Sequence, residues 1–297
     1  MPSTRDIRRR IKSVKNTAQI TKAMQLVAAS KMKRAQDQAL SGRAYAELVN
    51  KVLVSLKDKT GDESHPLLET REGNRELILV VSTDKGLCGG LNTNLLRRLI
   101  EKTTGGDVAY ITVGSKLRNS LGKLKKSLVA DFSVKDPVKF AETRPISRYL
   151  MQQFLDGKYD RVKVAFTNFV NVLRQEPLVE TILPISPVTI GKPKPFEGMG
   201  ADVPPPAAVS EVQEYVFEPS PRAVFDQVLP QYLDYIVYQM ILEARASEHS
   251  SRMVAMKSAT DNAKSMIKDL TLEYNKLRQA GITTELLEIT TAMKALE

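Results

Sequence analysis

Cysteine, histidine and tryptophan are scarce: the 297 residues hold one cysteine, Cys88, two histidines, His65 and His249, and no tryptophan. A single thiol excludes an internal disulfide and any multi-cysteine zinc site. Two histidines so far apart in sequence leave little for metal ligation or histidine-based catalysis, and no metal or cofactor is expected. Long hydrophobic runs are also missing. The longest is Leu77–Val81, against the roughly 20 residues that a membrane-spanning helix needs. No apolar signal core opens the chain, which predicts a soluble, cytoplasmic-type protein. Aromatics are only 6%, yet 42% of residues are hydrophobic, enough for a core and too many for wholesale disorder. Such a composition points to long helices rich in Ala, Leu and Met.

Helix breakers are missing from both ends. From Ser3 to Thr60 there is no proline and one glycine, Gly42, and from Gln231 to Ala280 there is neither. In the first segment small or apolar residues recur at spacings of three and four: Ile7, Ile11, Val14, Ala18, Thr21, then Ala28, Met32, Ala35 and Ala39. The second carries Leu229, Leu233, Ile236 and Met240, then Ala259, Ala263, Met266, Leu270 and Leu277. Both read as heptad-like seams. At a rise of 1.5 Å per residue they would reach about 85 Å and about 75 Å, too long to be covered by one globular core. Each needs a helical partner, and the simplest packing pairs the two ends antiparallel as a stiff coiled coil. Ser220-Pro221-Arg222 reads as the cap and first turn of the second helix. Beyond the weak point at Gly281, Thr283–Leu296 keeps helical spacing.

The charge is as lopsided as the breakers. Formal net charge is +10, and residues 1–60 hold 14 basic against 4 acidic side chains, leaving 30 of each sign for the rest. A stripe of this kind suits a polyanion or an acidic protein loop.

The middle changes character. Glu76–Ser82, Asp107–Val113, Leu128–Ser133 and Arg161–Phe169 read as strands. Asn94–Thr103, Ser115–Lys126 and Asp136–Leu155 read as the helices between them, which predicts a parallel, Rossmann-like α/β sheet. Gly191–Pro206 is a proline-rich loop or linker. The predicted organisation is therefore 1–60, an N-terminal coiled-coil helix; 74–190, an α/β domain; 191–218, a proline-rich loop and foot segment; and 219–297, a C-terminal coiled-coil helix.

An α/β domain raises the question of nucleotide binding. No Walker A loop occurs, and Gly86-Leu87-Cys88-Gly89-Gly90 lacks the spacing of a dinucleotide fingerprint. It reads as a tight strand-to-helix connection needing positive φ, with Cys88 a small packed side chain. Asp84 and Lys85 follow a strand, where α/β enzymes place catalytic groups, but no second motif joins them. His249 has no second histidine four residues away. Arg278, Gln279, Thr283 and Glu285 read as a solvated helix face. Residue chemistry alone favours a mechanical or binding role over an enzyme.

Four segments carry a resemblance: IKSVKNTAQITKAMQLVAASKMKRAQ (Ile11–Gln36), DKGLCGGLN (Asp84–Asn92), SEHSSRMVAMKSATDNA (Ser247–Ala263) and IKDLTLEYNKLRQAGITT (Ile267–Thr284). In that order, from near residue 3 to about residue 290, the chain resembles the gamma subunits of F-type ATP synthases, the central rotor shafts of those complexes. The resemblance implies an antiparallel coiled coil inside a hexamer of alpha and beta subunits. It places the α/β domain at a foot that meets the epsilon subunit and the c-subunit ring. The chain would carry torque and no chemistry, associating with the membrane only through the complex. The family's hexamer contacts fall on Met24, Arg252, Gln279, Thr283 and Glu285, and its ring contacts on Tyr215 and Glu218. Phe217 stands where many relatives have tyrosine. The tip, Ile289–Glu297, is more polar than in relatives, and the Gly191–Pro206 stretch brings no cysteine pair for the thiol switch of chloroplast relatives. An untagged Met1 fits a bacterial member, peripheral on the cytoplasmic face of the plasma membrane. The alternative, a basic coiled-coil nucleic-acid binder, is weakened because residues 1–60 offer one aromatic for base stacking, Tyr45. The resemblance implies no nucleic-acid partner.

Overall fold

The computed structural model describes residues 3–60, 65–103, 106–185 and 217–296. The order of elements is α1 (Thr4–Thr60), β1 (Arg75–Val81), α2 (Leu91–Lys102), β2 (Asp107–Val113), α3 (Ser115–Lys123), β3 (Ser127–Phe132), α4 (Phe140–Leu155), β4 (Arg161–Phe169), β5 (Gln175–Leu183) and α5 (Pro221–Leu296). In chain order, a mixed sheet with flanking helices thus comes after one long helix and before another, the coiled-coil plus α/β class that the sequence predicts. The proline-rich Gly191–Pro206 stretch lies outside the described residues. The chain divides into two compact units, one of residues 1–28 with 253–297 and one of residues 29–252.

Local signals set the helix starts. Ser3 Oγ accepts from the Asp6 amide at 3.2 Å and donates to Asp6 Oδ2 at 2.7 Å, an acidic version of the capping box that opens α1. These bonds from Ser3 hold the Asp6 carboxyl below the ordinary carboxylate range. Ser220 Oγ accepts from the Ala223 amide at 3.2 Å, so α5 begins with a serine cap and Pro221 in its first turn.

In the unit of residues 1–28 and 253–297, the two helices run antiparallel. Thr21 Oγ1 and Thr260 Oγ1 meet at 2.7 Å across the pair. Each hydroxyl also has a carbonyl acceptor in its own helix, Ala18 at 3.1 Å for Thr21 and Met256 at 2.8 Å for Thr260, and one of the two protons bridges the pair. From this point the covered positions Ala18, Val14, Ile11 and Ile7 climb one helix, while Ala263, Ile267, Leu270, Tyr274 and Leu277 descend the other. Met266 is half exposed, and the neighbouring Ile267 takes the seam position expected for it. From Arg278 to Lys294 every residue of α5 is exposed.

The unit of residues 29–252 is built on the sheet, with strand order β3-β2-β1-β4-β5. Pairs β2–β3, β1–β2 and β1–β4 are parallel, whereas β4–β5 is antiparallel. Alternation sorts the central strands onto two faces. Leu77, Leu79, Val81, Ile111, Val113, Val162 and Val164 share a core with Leu150 and Phe154 of α4, with Ala35, Ala39, Leu53 and Leu56 of α1, and with Leu229–Ala246 of α5. Ile78, Val80, Tyr110 and Ala165 face the other way, onto Leu95 and Leu99 of α2 and Leu117 and Leu121 of α3. Burial on both faces explains why β1 reads as one continuous apolar run.

Strand β5 was not expected. Its Pro177 and flanking glutamates contradict a strand pattern, but β5 lies at the edge, where a missing amide proton is tolerated. Helix α4 starts at Phe140, later than the expected Asp136, because a residue preceding proline (here Pro137) is pushed out of the helical region.

Candidate functional site

In open α/β sheets a ligand binds beyond the carboxyl ends of the strands, where the strand order reverses. Here that point lies between β1 and β4, and the chain's own α5 occupies it. Arg245 Nη2 donates to the Val134 carbonyl at 2.9 Å, after β3. Ser247 Oγ donates to the Thr167 carbonyl at 2.9 Å, near the end of β4. Ser250 Oγ reaches the Val172 carbonyl at 2.8 Å, in the β4–β5 turn. Ser251 Oγ reaches the Cys88 carbonyl at 2.7 Å, and Arg252 reaches the Lys85 and Gly86 carbonyls at 3.2 and 3.3 Å, all three after β1. Donors on consecutive turns of one helix thus bond to the carbonyls of the loops at the sheet's carboxyl edge.

The loop after β1 is shaped for this contact. Leu87 and Gly89 have φ of 63° and 58°, and a Cβ on Gly89 would lie 3.6 Å from Ser251 Oγ. Positive φ falls on these two residues, within the Gly86–Gly90 connection the sequence marks. Cys88 is buried, 3.5 Å from the Asn92 amide, and serves as a packed side chain. Asp84 Oδ1 accepts from the Ser115 amide at 3.1 Å and so caps the start of α3. Gly114 holds φ at 100°, and a Cβ there would fall 2.3 Å from the Ser82 carbonyl oxygen.

Charge is concentrated along the same turns of α5. Glu248 accepts from Arg245 on one oxygen and from Arg252 on the other, each at 2.8 Å. All three side chains are nearly covered, Arg252 being the most accessible at 12%. Such a carboxylate between two guanidiniums is strongly bound to its place, because removing it leaves two covered cations. Beside it, His249 is buried, with Nδ1 3.5 Å from Arg252 and Nε2 3.3 Å from Asp136 Oδ2. That second approach is misaligned for a hydrogen bond, so the Nε2 atom is an orphan. Burial pushes the His249 pKa down, against the pull of Glu248 and Asp136. For Asp136 burial acts upward but is outweighed by its hydrogen bond from Lys31 and the charges of His249, Lys31 and Arg245, leaving its pKa below the ordinary range.

The expected site residues divide into four groups. Arg252 is tied to its own chain at the sheet's carboxyl edge. Gln279, Thr283 and Glu285 stand exposed on the last turns of α5, with Thr283 Oγ1 bonded back to the Gln279 carbonyl at 2.9 Å. Met24 is half-buried on α1. Glu218 is exposed just before α5, and Tyr215 lies outside the described residues. Arg245, Ser247, Glu248, Ser250 and Ser251 were not singled out. In sequence they are a polar cluster on an uninterrupted helix, the same pattern as a solvated face, so only the fold reveals their buried partners. An open depression of about 580 Å³ lies at the opposite edge, beside Arg75, Asp107 and Lys126, and Arg75 is already held bidentate by Asp160.

In the sheet-bearing unit α5 is fastened across the sheet's crevice, and in the other unit its residues form half of an antiparallel helix pair. The same fold occurs in a chain of the Tetrahymena thermophila mitochondrial ATP synthase central stalk and c-ring structure, at 24% identity and TM-score 0.61, covering 81% of this chain and 99% of that one. It occurs also in the Euglena gracilis mitochondrial ATP synthase rotor in rotational state 1, at 18% identity and TM-score 0.64, covering 94% and 98%. By fold, then, this chain shares the architecture of those two chains, an α/β domain with two long terminal helices.

The ATP synthase family model matches residues 3–296. The ATP synthase gamma chains of Akkermansia muciniphila and Methylacidiphilum infernorum are each 48% identical over 297 and 301 residues, with 100% of both chains covered. That of Opitutus terrae is 46% identical over 295 residues, covering 99% of each. The chain belongs to the ATP synthase gamma chain family. These findings support a rotor subunit of the complex and not the nucleic-acid alternative.

Proposed function

We propose that this chain is the central shaft of a bacterial F-type ATP synthase, transmitting torque between a proton-driven c-ring and a catalytic hexamer of alpha and beta subunits. It carries no catalytic step itself. The observation that supports this reading is the chain's occupation of its own ligand crevice by α5, combined with the bare last turns of the same helix. The first spends the sheet on fastening a lever, and the second leaves Gln279, Thr283 and Glu285, with Ile282, Leu286 and Ile289, for a surrounding sleeve. Met24 and Arg252 would meet the hexamer lower on the shaft. Exposed ion pairs and polar contacts of about 0–1 kcal/mol each suit a surface that must slide past three similar partners. Coupling then arises from contacts that differ with shaft angle.

Glu218 and Tyr215 would meet the ring, with the epsilon subunit beside them. No helix among the described residues is long and apolar enough to cross a membrane, so attachment through the complex, on the cytoplasmic face, fits this reading. Leu173 is 82% exposed while Cys88 is buried, so Leu173→Cys gives one accessible thiol for a rotation probe. ATP-driven rotation of that probe in the assembled complex is the expected result. Steady hydrolysis by the hexamer with a stationary probe would overturn it.

A further inference from the structure

Three elements of the sheet-bearing unit converge on one oxygen atom. Lys31 Nζ of α1 lies 2.7 Å from Asp136 Oδ2, in the loop between β3 and α4. His249 Nε2 of α5 lies 3.3 Å from the same Oδ2. The two contacts differ in kind. Lys31 makes a hydrogen bond from a side chain that is 44% exposed, whereas His249 is buried and its Nε2 atom is unsatisfied.

A guanidinium can only donate, so the approach of Arg252 to Nδ1 makes Nδ1 the acceptor of the neutral ring and leaves its proton on Nε2. An incoming proton therefore lands on Nδ1, facing Arg252. The groups around the ring are Lys31 from α1, Asp136 from the β3–α4 loop, and Glu248 and Arg252 from α5. Arg245 of α5 adds its charge at Asp136. A second positive charge against Arg252 pushes the ring toward its carboxylate, and Asp136 is the one its Nε2 already faces. Glu248 is held on both oxygens by the two arginines.

We propose that His249 is an acid-triggered latch: its protonation draws Asp136 away from Lys31 and so loosens the polar tie between α1 and the β3–α4 loop, whose Val134 and Val138 still share a core with Ala35 and Ala39. The exchange is downhill for a simple reason. Lys31 returns its ammonium to water at little loss, since exposed ion pairs contribute little, whereas a buried imidazolium must keep a counter-charge. Asp136 stays ionised throughout, its pKa being depressed. The neighbouring bond from Gln38 to the Val138 carbonyl is long, at 3.4 Å, and provides little substitute hold.

The full chain is suited to the test because its two histidines are resolvable by imidazole NMR, with His249→Gln assigning them. Amide exchange in the α1 segment around Lys31 is followed from about pH 7.5 to about pH 5.5, and each rate is divided by that of His249→Gln at the same pH. Expected is a rise of about fivefold toward acid in the wild type, the size of one lost exposed tie, tracking the His249 titration. Lys31→Gln, a surface change that spares the fold, should show the raised exchange at every pH with no acid increment. Exchange ratios that stay flat while His249 titrates, or an undiminished acid increment in Lys31→Gln, would overturn the latch.

Discussion

Residues 239–250 and 278–294 belong to the same helix and have nearly the same apolar share, five of twelve against seven of seventeen, yet every residue of the first stretch is buried and every residue of the second is exposed. Composition therefore does not decide burial here; partners do. In the first stretch Arg245, Ser247, Glu248 and Ser250 are tolerated inside because each meets a carbonyl or an opposite charge. In the second, Ile282, Leu286, Leu287 and Ile289 stand in water because the helix has outrun its partner strand of coil. A buried polar group without partners and an exposed apolar patch without a binder are both penalised, so each stretch shows where its complement sits. For the first the complement is the chain's own sheet. For the second, on the function proposed above, it is the surrounding hexamer.

The contrast can be broken by substitutions matched between the two stretches. Glu248→Ala should have the largest effect, about 3–5 kcal/mol of lost stability in denaturant unfolding, because two covered arginines lose their shared carboxylate. A loss below that of a surface charge deletion would mean that water reaches the cluster. Leu242→Ala, in the same stretch, should lose about 2–5 kcal/mol, against a change within about 0.5 kcal/mol for Leu287→Ala near the tip. Equal losses would erase the distinction. At the rod, Thr21→Val alone should lose about 0.5–1.5 kcal/mol, the net worth of one hydrogen bond, since Thr260 keeps its bond to the Met256 carbonyl, and adding Thr260→Val should cost less than it does alone. Additive losses would show the two hydroxyls to be independent.

A milder effect concerns pH. Burial lowers the pKa of both His65 and His249 from the ordinary value of 6.5. The unfolded chain then binds more protons than the folded one near that pH, so stability is full above it and declines as pH falls through about 6.5 toward the folded values. Melting temperatures rising as pH drops from about 7.5 to about 5.5 would contradict this. The smallest expected change in the free chain is for Gln279→Ala, within about 0.5 kcal/mol, whereas coupled ATP synthesis in the assembled complex should drop. Unaltered synthesis would remove Gln279 from the working surface.

Much of the architecture was readable in advance because it is local. Asp107–Val113 and Arg161–Phe169 fall on strand boundaries, and the alanine seams of α1 mark residues that the structure covers. Edge strand β5 escaped notice because Pro177 speaks against a strand until its place at the edge is known. The site divided in the same way. Exposure of Gln279, Thr283 and Glu285 follows from a polar helix end, which sequence chemistry reads as solvated. The tie from Arg252 to the Lys85 and Gly86 carbonyls depends on a fold that brings residues far apart in sequence together. Nothing local to Ser247–Arg252 says which carbonyls those donors will meet. Arg252, which the resemblance matches to an intermolecular contact, is in this chain also bonded to Glu248 and to its own loop carbonyls.

The helix laid across the sheet's carboxyl edge has a pharmacological corollary. Cofactor-mimicking compounds, which succeed against many α/β folds, would have to evict a covalently continuous segment secured by five side chains at once. Inhibitors of this chain are better sought as wedges at its protein–protein seams, where the bare turns beyond Leu277 offer grease and polarity side by side.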